Sequence, residues 1–298
     1  MVDHIVIPVD GSEESKRAAT RGLELATVVD ATVDVVHVVE QKSIRLATSA
    51  DEQKRLRERG ESVLEEIAEI AADLGQPVRT ELTDGKPGEQ ICEYAARRDA
   101  TMIVIGRQGL TGLGKRLLGG VTEYVLHRSE IPVLVVPHGD GATTKATDYS
   151  RLLVPTDGSE NAEAATNPAV TIAQYCGGAV HALNVVDIQN AGGMFSAGGL
   201  ETEFIERLEA EGRDAVDAVA SEIAETAPDV NVETDVVRTT ALDGAAAGIS
   251  EYVADHGIDL VVMGSHGRSN LERRVLGSVT STLLRTIDVP ILVVARPG

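Results

Sequence analysis

Gly264-Ser-His-Gly267, followed after nine residues by Gly277-Ser278, is the stretch of this 298-residue chain whose residue types and spacing point most directly to chemistry. Glycines let a backbone come close to a phosphate, and a helix start offers N–H groups without intrahelical partners. Ser278 adds a hydroxyl, and Arg268, Arg273 and Arg274 are either counter-charges for a polyphosphate or solvated arginines paired with the abundant glutamates. His266 reads as a polar residue on an exposed loop or as a general base. A second, altered copy occurs at Gly106-Arg-Gln-Gly109 and Gly119-Gly120, where Gly120 stands at the Ser278 position and Arg107-Gln108 replace Ser265-His266. Gly112 and Gly114 loosen that loop, and Lys115 and Arg116 keep positive charge near it. The other candidates are Asp10 and Asp157, each before Gly-Ser. The Ser159 hydroxyl suits a helix cap, and the Asp157 carboxylate belongs either to the turn or to a hydrogen bond with an adenine amino group or a ribose hydroxyl.

Such residues need strands to carry them to one place. Apolar runs at 3–9, 32–39, 77–82, 101–106 and 132–136 read as strands, and amphipathic stretches at 12–29, 50–74, 87–99 and 117–128 read as helices. The pattern recurs at 151–156, 179–186, 231–237, 259–264 and 290–295. Near-continuous Val and Ile runs mark strands covered on both faces, which predicts two doubly wound five-stranded parallel-sheet α/β domains in tandem. Their ligands belong at the carboxyl ends of the strands, where Asp10, Gly106, Asp157 and Gly264 fall. Residues 1–138 form the expected first domain and 151–298 the second, with the small and polar segment 139–150 as linker. The second copy carries about eleven extra residues, and glycine-rich Asn190–Leu200 is the expected place for them.

Net charge is −20, from 47 acidic and 27 basic residues, of which six are Lys. This argues against non-specific binding of nucleic acid or anionic membrane and suggests salt adaptation, as in a halophile. Aromatics make up 2% of the sequence and Trp is absent, which removes base-stacking platforms. Cys92 and Cys176 lack metal or redox spacing and read as reduced helix residues. His37, within an apolar strand, reads as a packed core histidine. No secretory leader or membrane-length apolar run is evident, so a cytoplasmic protein is expected. No G-x4-G-K-S/T, H-E-x-x-H or G-x-S-x-G string occurs, so no catalytic residue is assigned.

The combination of PVDGS and PTDGS at the first strand with G-x2-G-x9-G-S/T after the fourth resembles the universal stress protein family, as a tandem of two copies from a halophilic archaeon. The resemblance covers nearly all residues outside the linker. It implies an adenine-nucleotide alpha-hydrolase-like fold with strand order 3-2-1-4-5. It also implies ATP, alone or with Mg2+, as ligand, and dimerisation through the last strand. In a tandem chain the copies are then expected to pair internally, Pro132–Val136 beside Pro290–Val294, with a further homodimer open. VVMGSHGRSNLERRVLGSVT fits the ATP-binding branch. Carried over by position, Asp157 and Val185 contact the adenine and Gly264, Gly267, Gly277 and Ser278 the ribose and phosphates, with Met263 and Val279 adjoining. Pro155, Thr156, Ser265, His266, Arg268 and Thr280 complete the nucleotide-binding set that the resemblance implies. In the first copy Asp10, Val38, Gly106, Gly109 and Gly119 match while Gly120 does not, and Pro8, Val9, Ile105, Val121 and Thr122 complete that set; loss of the Ser278 hydroxyl points to weaker binding or a ligand with fewer phosphates. Three functions follow as expectations: a nucleotide-dependent stress-response module with little or no turnover, a weak ATPase or nucleotidyl-transfer enzyme, or a protein-interaction scaffold.

Overall fold

A computed structural model describes residues 2–46, 49–110, 117–137, 148–189, 202–267 and 276–295. The chain divides into two compact units, Met1–Asp148 and Tyr149–Gly298. The first runs β1 (His4–Pro8), α1 (Glu13–Val29), β2 (Thr32–Glu40), α2 (Gln41–Leu46), α3 (Ala50–Asp73), β3 (Val78–Gly85), α4 (Pro87–Arg97), β4 (Met102–Gly106), α5 (Gly120–Arg128) and β5 (Val133–Val136). The second runs β6 (Arg151–Pro155), α6 (Glu160–Glu163), α7 (Thr166–Cys176), β7 (Ala179–Asp187), α8 (Thr202–Thr226), β8 (Val232–Thr239), α9 (Ala245–His256), β9 (Leu260–Gly264), α10 (Ser278–Thr286) and β10 (Ile291–Val294).

Within each unit the strands are parallel, in the order β3-β2-β1-β4-β5 and β8-β7-β6-β9-β10. Both units therefore have the expected 3-2-1-4-5 winding. Ile5, Val6 and Ile7 of β1 and Leu152, Leu153 and Val154 of β6 are completely buried, because helices cover both faces of the central strands. The third strand of each unit lies at an edge, and its polar residues Arg79, Glu81, Glu233 and Asp235 tolerate that place. Ser12 caps α1 by accepting from Ser15 N at 3.1 Å, and Ser159 caps α6 by accepting from Ala162 N at 3.3 Å.

Four local departures from the sequence pattern have physical causes. Helix α5 begins at Gly120, not at 117, because Gly119 N donates to Arg107 O at 2.9 Å and Gly119 itself is held extended. A short helix, α2, follows β2 where the sequence pattern marks neither strand nor helix. The helix after β6 breaks into α6 and α7, since Pro168 lacks an N–H and its ring would collide with the carbonyl of Ala164. The extra residues of the second copy enter at two places. His4 and Arg151, and Thr32 and Ala179, stand 147 apart, whereas Val78 and Val232 stand 154 apart and Met102 and Leu260 stand 158 apart. Seven residues are thus added between β7 and β8, where Asn190–Leu200 lies outside the described residues. The other four lengthen the β8–α9 connection, where 240–244 replace Lys86 alone.

A buried polar cluster is rebuilt with altered charge between the copies. In the first, Asp34 accepts from Tyr94 Oη at 2.9 Å and Arg98 Nε at 2.8 Å, with His4 Nε2 at 3.2 Å. Burial pushes the Asp34 carboxyl up, but Arg98, Tyr94 and His4 outweigh it and hold the group below its ordinary range. In the second, the aligned residues are His181, Tyr252, His256 and Arg151. Tyr252 Oη donates to Asp235 Oδ2 at 2.7 Å and lies 3.1 Å from His181 Nδ1.

Candidate functional site

Where β6 and β9 end, at Pro155 and Gly264, the chain leaves the sheet in a cleft at the reversal of winding. The cleft holds a cavity of about 220 Å³. Pro155, Thr156 and Asp157 line it from the end of β6, and Val185 from β7. Met263, Gly264, His266 and Gly267 line it from β9 and the glycine loop, and Gly277, Ser278, Val279 and Thr280 from the start of α10. Ser265 does not line it: that side chain is buried, with its Oγ 2.8 Å from His266 Nδ1. Arg268, Arg273 and Arg274 lie outside the described residues, as do Gly112, Gly114, Lys115, Arg116 and most of the segment 139–150.

The loop is fixed by its own backbone. Ser265 N donates to Val294 O at 2.9 Å, and Gly277 N to Ser265 O at 2.8 Å. Thr280 Oγ1, buried, donates to Gly264 O at 3.0 Å. The Thr280 hydroxyl therefore commits its proton to shaping the loop. Helix α10 has Gly277 as its N-cap and no side-chain cap, so first-turn N–H groups face the cleft region without a capping partner. The glycines are needed for closeness. A Cβ on Gly264 would stand 2.4 Å from Asn161 O, and one on Gly267 would stand 2.3 Å from Asp157 Oδ2. Of the two roles for Asp157 the turn role is seen: Oδ1 accepts from Ser159 N at 3.0 Å, and Oδ2 stands against Gly267. Thr156 Oγ1 accepts from Gly158 N at 3.1 Å in the same turn.

The first unit repeats the design around a cavity of about 400 Å³. Pro8, Val9, Asp10 and Val38 line it, with Ile105, Gly106 and Gly109 on the loop side and Gly119, Gly120, Val121 and Thr122 at α5. Arg107 N donates to Val136 O at 2.8 Å, and Thr122 Oγ1 to Gly106 O at 2.8 Å, matching Ser265 and Thr280. Asp10 accepts from Ser12 N and Leu110 N, each at 2.9 Å. Burial raises its carboxyl, but these bonds outweigh burial and hold it below the ordinary range.

Two features of the clefts are absent from the motif. One is His37, a packed core residue by its apolar context, which instead lines the first cavity. The reason is strand length: β1 ends at Pro8, paired with Val36, while β2 continues past it alongside β3, so His37 and Val38 lie beyond the end of β1. His37 Nδ1 donates to Val9 O at 2.9 Å, and burial lowers the affinity of the ring for a proton. Asn184 makes the aligned bond in the second unit, with Nδ2 donating to Thr156 O at 2.8 Å. The common spacing of 147 residues pairs His37 with Asn184, and this was the available signal. The other is Glu14 on α1, which lies outside the cavity lining and whose Oε2 accepts from Gln108 N in the glycine loop at 3.0 Å. Asn161 stands at that position in the second unit.

The model of the Universal stress protein family matches residues 1–137 and again 148–295. Universal stress protein Rv2005c of Mycobacterium tuberculosis is 31% identical over 309 aligned residues, covering 97% of this chain and 96% of the relative. Universal stress protein MJ0531 of Methanocaldococcus jannaschii is 36% identical over 136 residues, 44% of this chain and 80% of the relative. A crystal structure of a universal stress protein from Archaeoglobus fulgidus has a TM-score of 0.75 over 100% of both chains at 22% identity, a likeness of fold. Two family matches in one sequence, each on a complete five-stranded unit, show that the chain belongs to the universal stress protein family as a tandem of two copies.

Proposed function

We propose that the second unit binds ATP in the Asp157–Ser278 cleft, and that the chain works as a nucleotide-dependent stress-response module with little or no turnover. The observation that carries this reading is the meeting, in one cavity, of Asp157, the close-approach glycines and the uncapped start of α10. Apolar Val185 and Met263 suit a base, while Gly267, Gly277 and the α10 N–H groups suit phosphates. The lining fits such a group: Gly264, Gly267 and Gly277 present backbone without side chains to the cavity beside the start of α10. Mg2+ would accompany the phosphates and neutralise their charge. His266 Nδ1 is turned to Ser265 Oγ, which favours a loop-shaping histidine over a general base.

The test begins with protein purified in high KCl, in keeping with its acidic composition, and denatured so that released small molecules are identified by mass spectrometry. ATP is expected at no more than one molecule per chain, and its loss is expected in Asp157→Ala. Absence of nucleotide, together with no thermal shift on adding ATP, would leave the interaction scaffold. Steady-state phosphate release that disappears in Asp157→Ala while ATP binding persists would establish the weak ATPase.

A further inference from the structure

We propose that Asn184 is a positioning residue for the second cleft: its side-chain N–H prolongs the pairing of β6 with β7 past the end of β6 and so fixes how the chain turns into Asp157. His37 has the same part before Asp10, and Gly212 and Gly60 make room for the two side chains. The effect on ligand binding rests on the ATP reading of the second cleft, whereas the effect on the turn rests on the hydrogen bonds alone. The last residue of β6, Pro155, is paired with Leu183. One residue further on, Thr156 N donates to Leu183 O at 2.8 Å, and Thr156 O accepts from Asn184 Nδ2 at 2.8 Å. Both backbone polar groups of Thr156 are thus held by β7. In the first unit Val9 N donates to Val36 O at 2.9 Å, and Val9 O accepts from His37 Nδ1 at 2.9 Å. A carbonyl oxygen lies in one rigid plane with the N and Cα of the next residue, so pinning Thr156 O sets the direction in which Asp157 starts. The carboxylate then closes the turn on Ser159 N at 3.0 Å, as Asp10 closes its own on Ser12 N at 2.9 Å.

Two comparisons between the copies say what the position supplies. Carboxamide and imidazole differ in shape and in capacity for charge, but each can offer an N–H from a nitrogen bonded to Cγ, at the same reach from the backbone. A carbonyl only accepts, so His37 Nδ1 carries the hydrogen that Asn184 Nδ2 carries in the second unit. What the substitution keeps is the donor. The helices that pack on these strands agree: Arg55-Leu-Arg-Glu-Arg-Gly60 in α3 and Arg207-Leu-Glu-Ala-Glu-Gly212 in α8 each place a glycine inside a helix, where glycine is unfavourable. A Cβ on Gly212 would stand 2.5 Å from Asn184 Oδ1, and one on Gly60 would stand 2.7 Å from His37 Cδ2. Any larger residue would push the donor off its carbonyl.

The experiment compares full-length Asn184→Leu, which is close in size but has no donor, with Asn184→His, which borrows the donor of the first unit. Amide hydrogen exchange read by NMR in high KCl reports the turn through Ser159 N, and isothermal calorimetry with ATP reports the cleft. In Asn184→Leu the Ser159 amide is expected to exchange at least about tenfold faster and ATP to bind about tenfold more weakly, the scale of one neutral hydrogen bond. Asn184→His is expected to recover most of both losses, which a packing role would not require. Gly212→Ala is a second route that keeps the donor: alanine favours the helix, yet its Cβ must displace Asn184 Oδ1, and Ser159 exchange is expected to rise while helix content by circular dichroism is kept. The proposal is overturned if Ser159 exchange in Asn184→Leu matches wild type, if histidine restores no more than leucine does, or if Gly212→Ala leaves Ser159 exchange unchanged. Failure of the ATP reading has a different signature, a wild-type protein that gives no heat with ATP while Ser159 exchange still separates the leucine and histidine variants, and that result supports the positioning role.

Discussion

Gly264→Ala puts the glycine-loop geometry to its severest test. The new Cβ would stand 2.4 Å from Asn161 O and 2.9 Å from Asn161 C, and both obstacles are backbone atoms of α6. Carbon and oxygen need close to an ångström more, so β9 and α6 must separate at the entrance to the cleft. Overpacking of this kind costs about 1–3 kcal/mol. For a unit of this size each kcal/mol lowers the midpoint by roughly 2–4 °C. The aligned Gly106→Ala meets its nearest atoms, Gln108 O and Glu14 O, at 3.2 Å and calls for a shift of only a few tenths of an ångström. Gly120→Ala enters open space at the first residue of a helix and should be neutral or stabilising by about 0.5 kcal/mol. Differential scanning calorimetry of the three variants therefore has a required order: Gly264→Ala most destabilised, Gly106→Ala mildly, Gly120→Ala not at all. A Gly264→Ala protein that unfolds at the wild-type temperature would refute the claim that close backbone approach fixes this glycine.

Two further outcomes follow from buried polar groups, alongside the nucleotide tests above. Thr280→Val keeps side-chain shape but removes the donor to Gly264 O, and chemical denaturation should show a loss of about 1–2 kcal/mol. For His181 the titrating ring is faced by Tyr252 and His256 of α9, Glu233 and Asp235 of β8, and Arg151 of β6. Desolvation lowers its proton affinity in the folded state, with Glu233 and Asp235 opposing and His256 and Arg151 adding to the shift. The unfolded chain therefore takes up the proton first, and stability falls as pH drops below about 6.5. Urea titrations between pH 7 and 5 should show that slope in wild type and a flatter one in His181→Asn. Asp34, held below its ordinary range, contributes stability that is lost only under more acid conditions, whereas His37, lowered by burial, gives the first unit a slope of the same sign as His181 gives the second.

The sequence determined the periodic parts of this protein. Runs such as Ile5–Ile7 and Leu260–Met263 are apolar on both faces, so their strand type and their place in a parallel sheet follow from burial. The repeat of Asp-Gly-Ser and of the spaced glycines located both clefts at strand ends, and the loss of a hydroxyl at Gly120 was visible as a letter. Tertiary structure decided what depends on where one element stops relative to another. His37 reaches the cleft only because β2 outruns β1, and strand lengths carry no local signature. Thr280 turns its hydroxyl to Gly264 O and Glu14 turns its carboxylate to Gln108 N across 16 and 94 residues. Those pairings arise from packing α10 and α1 against the loop. A motif can specify which groups are present, but distance and direction between segments far apart in sequence come from the packed sheet.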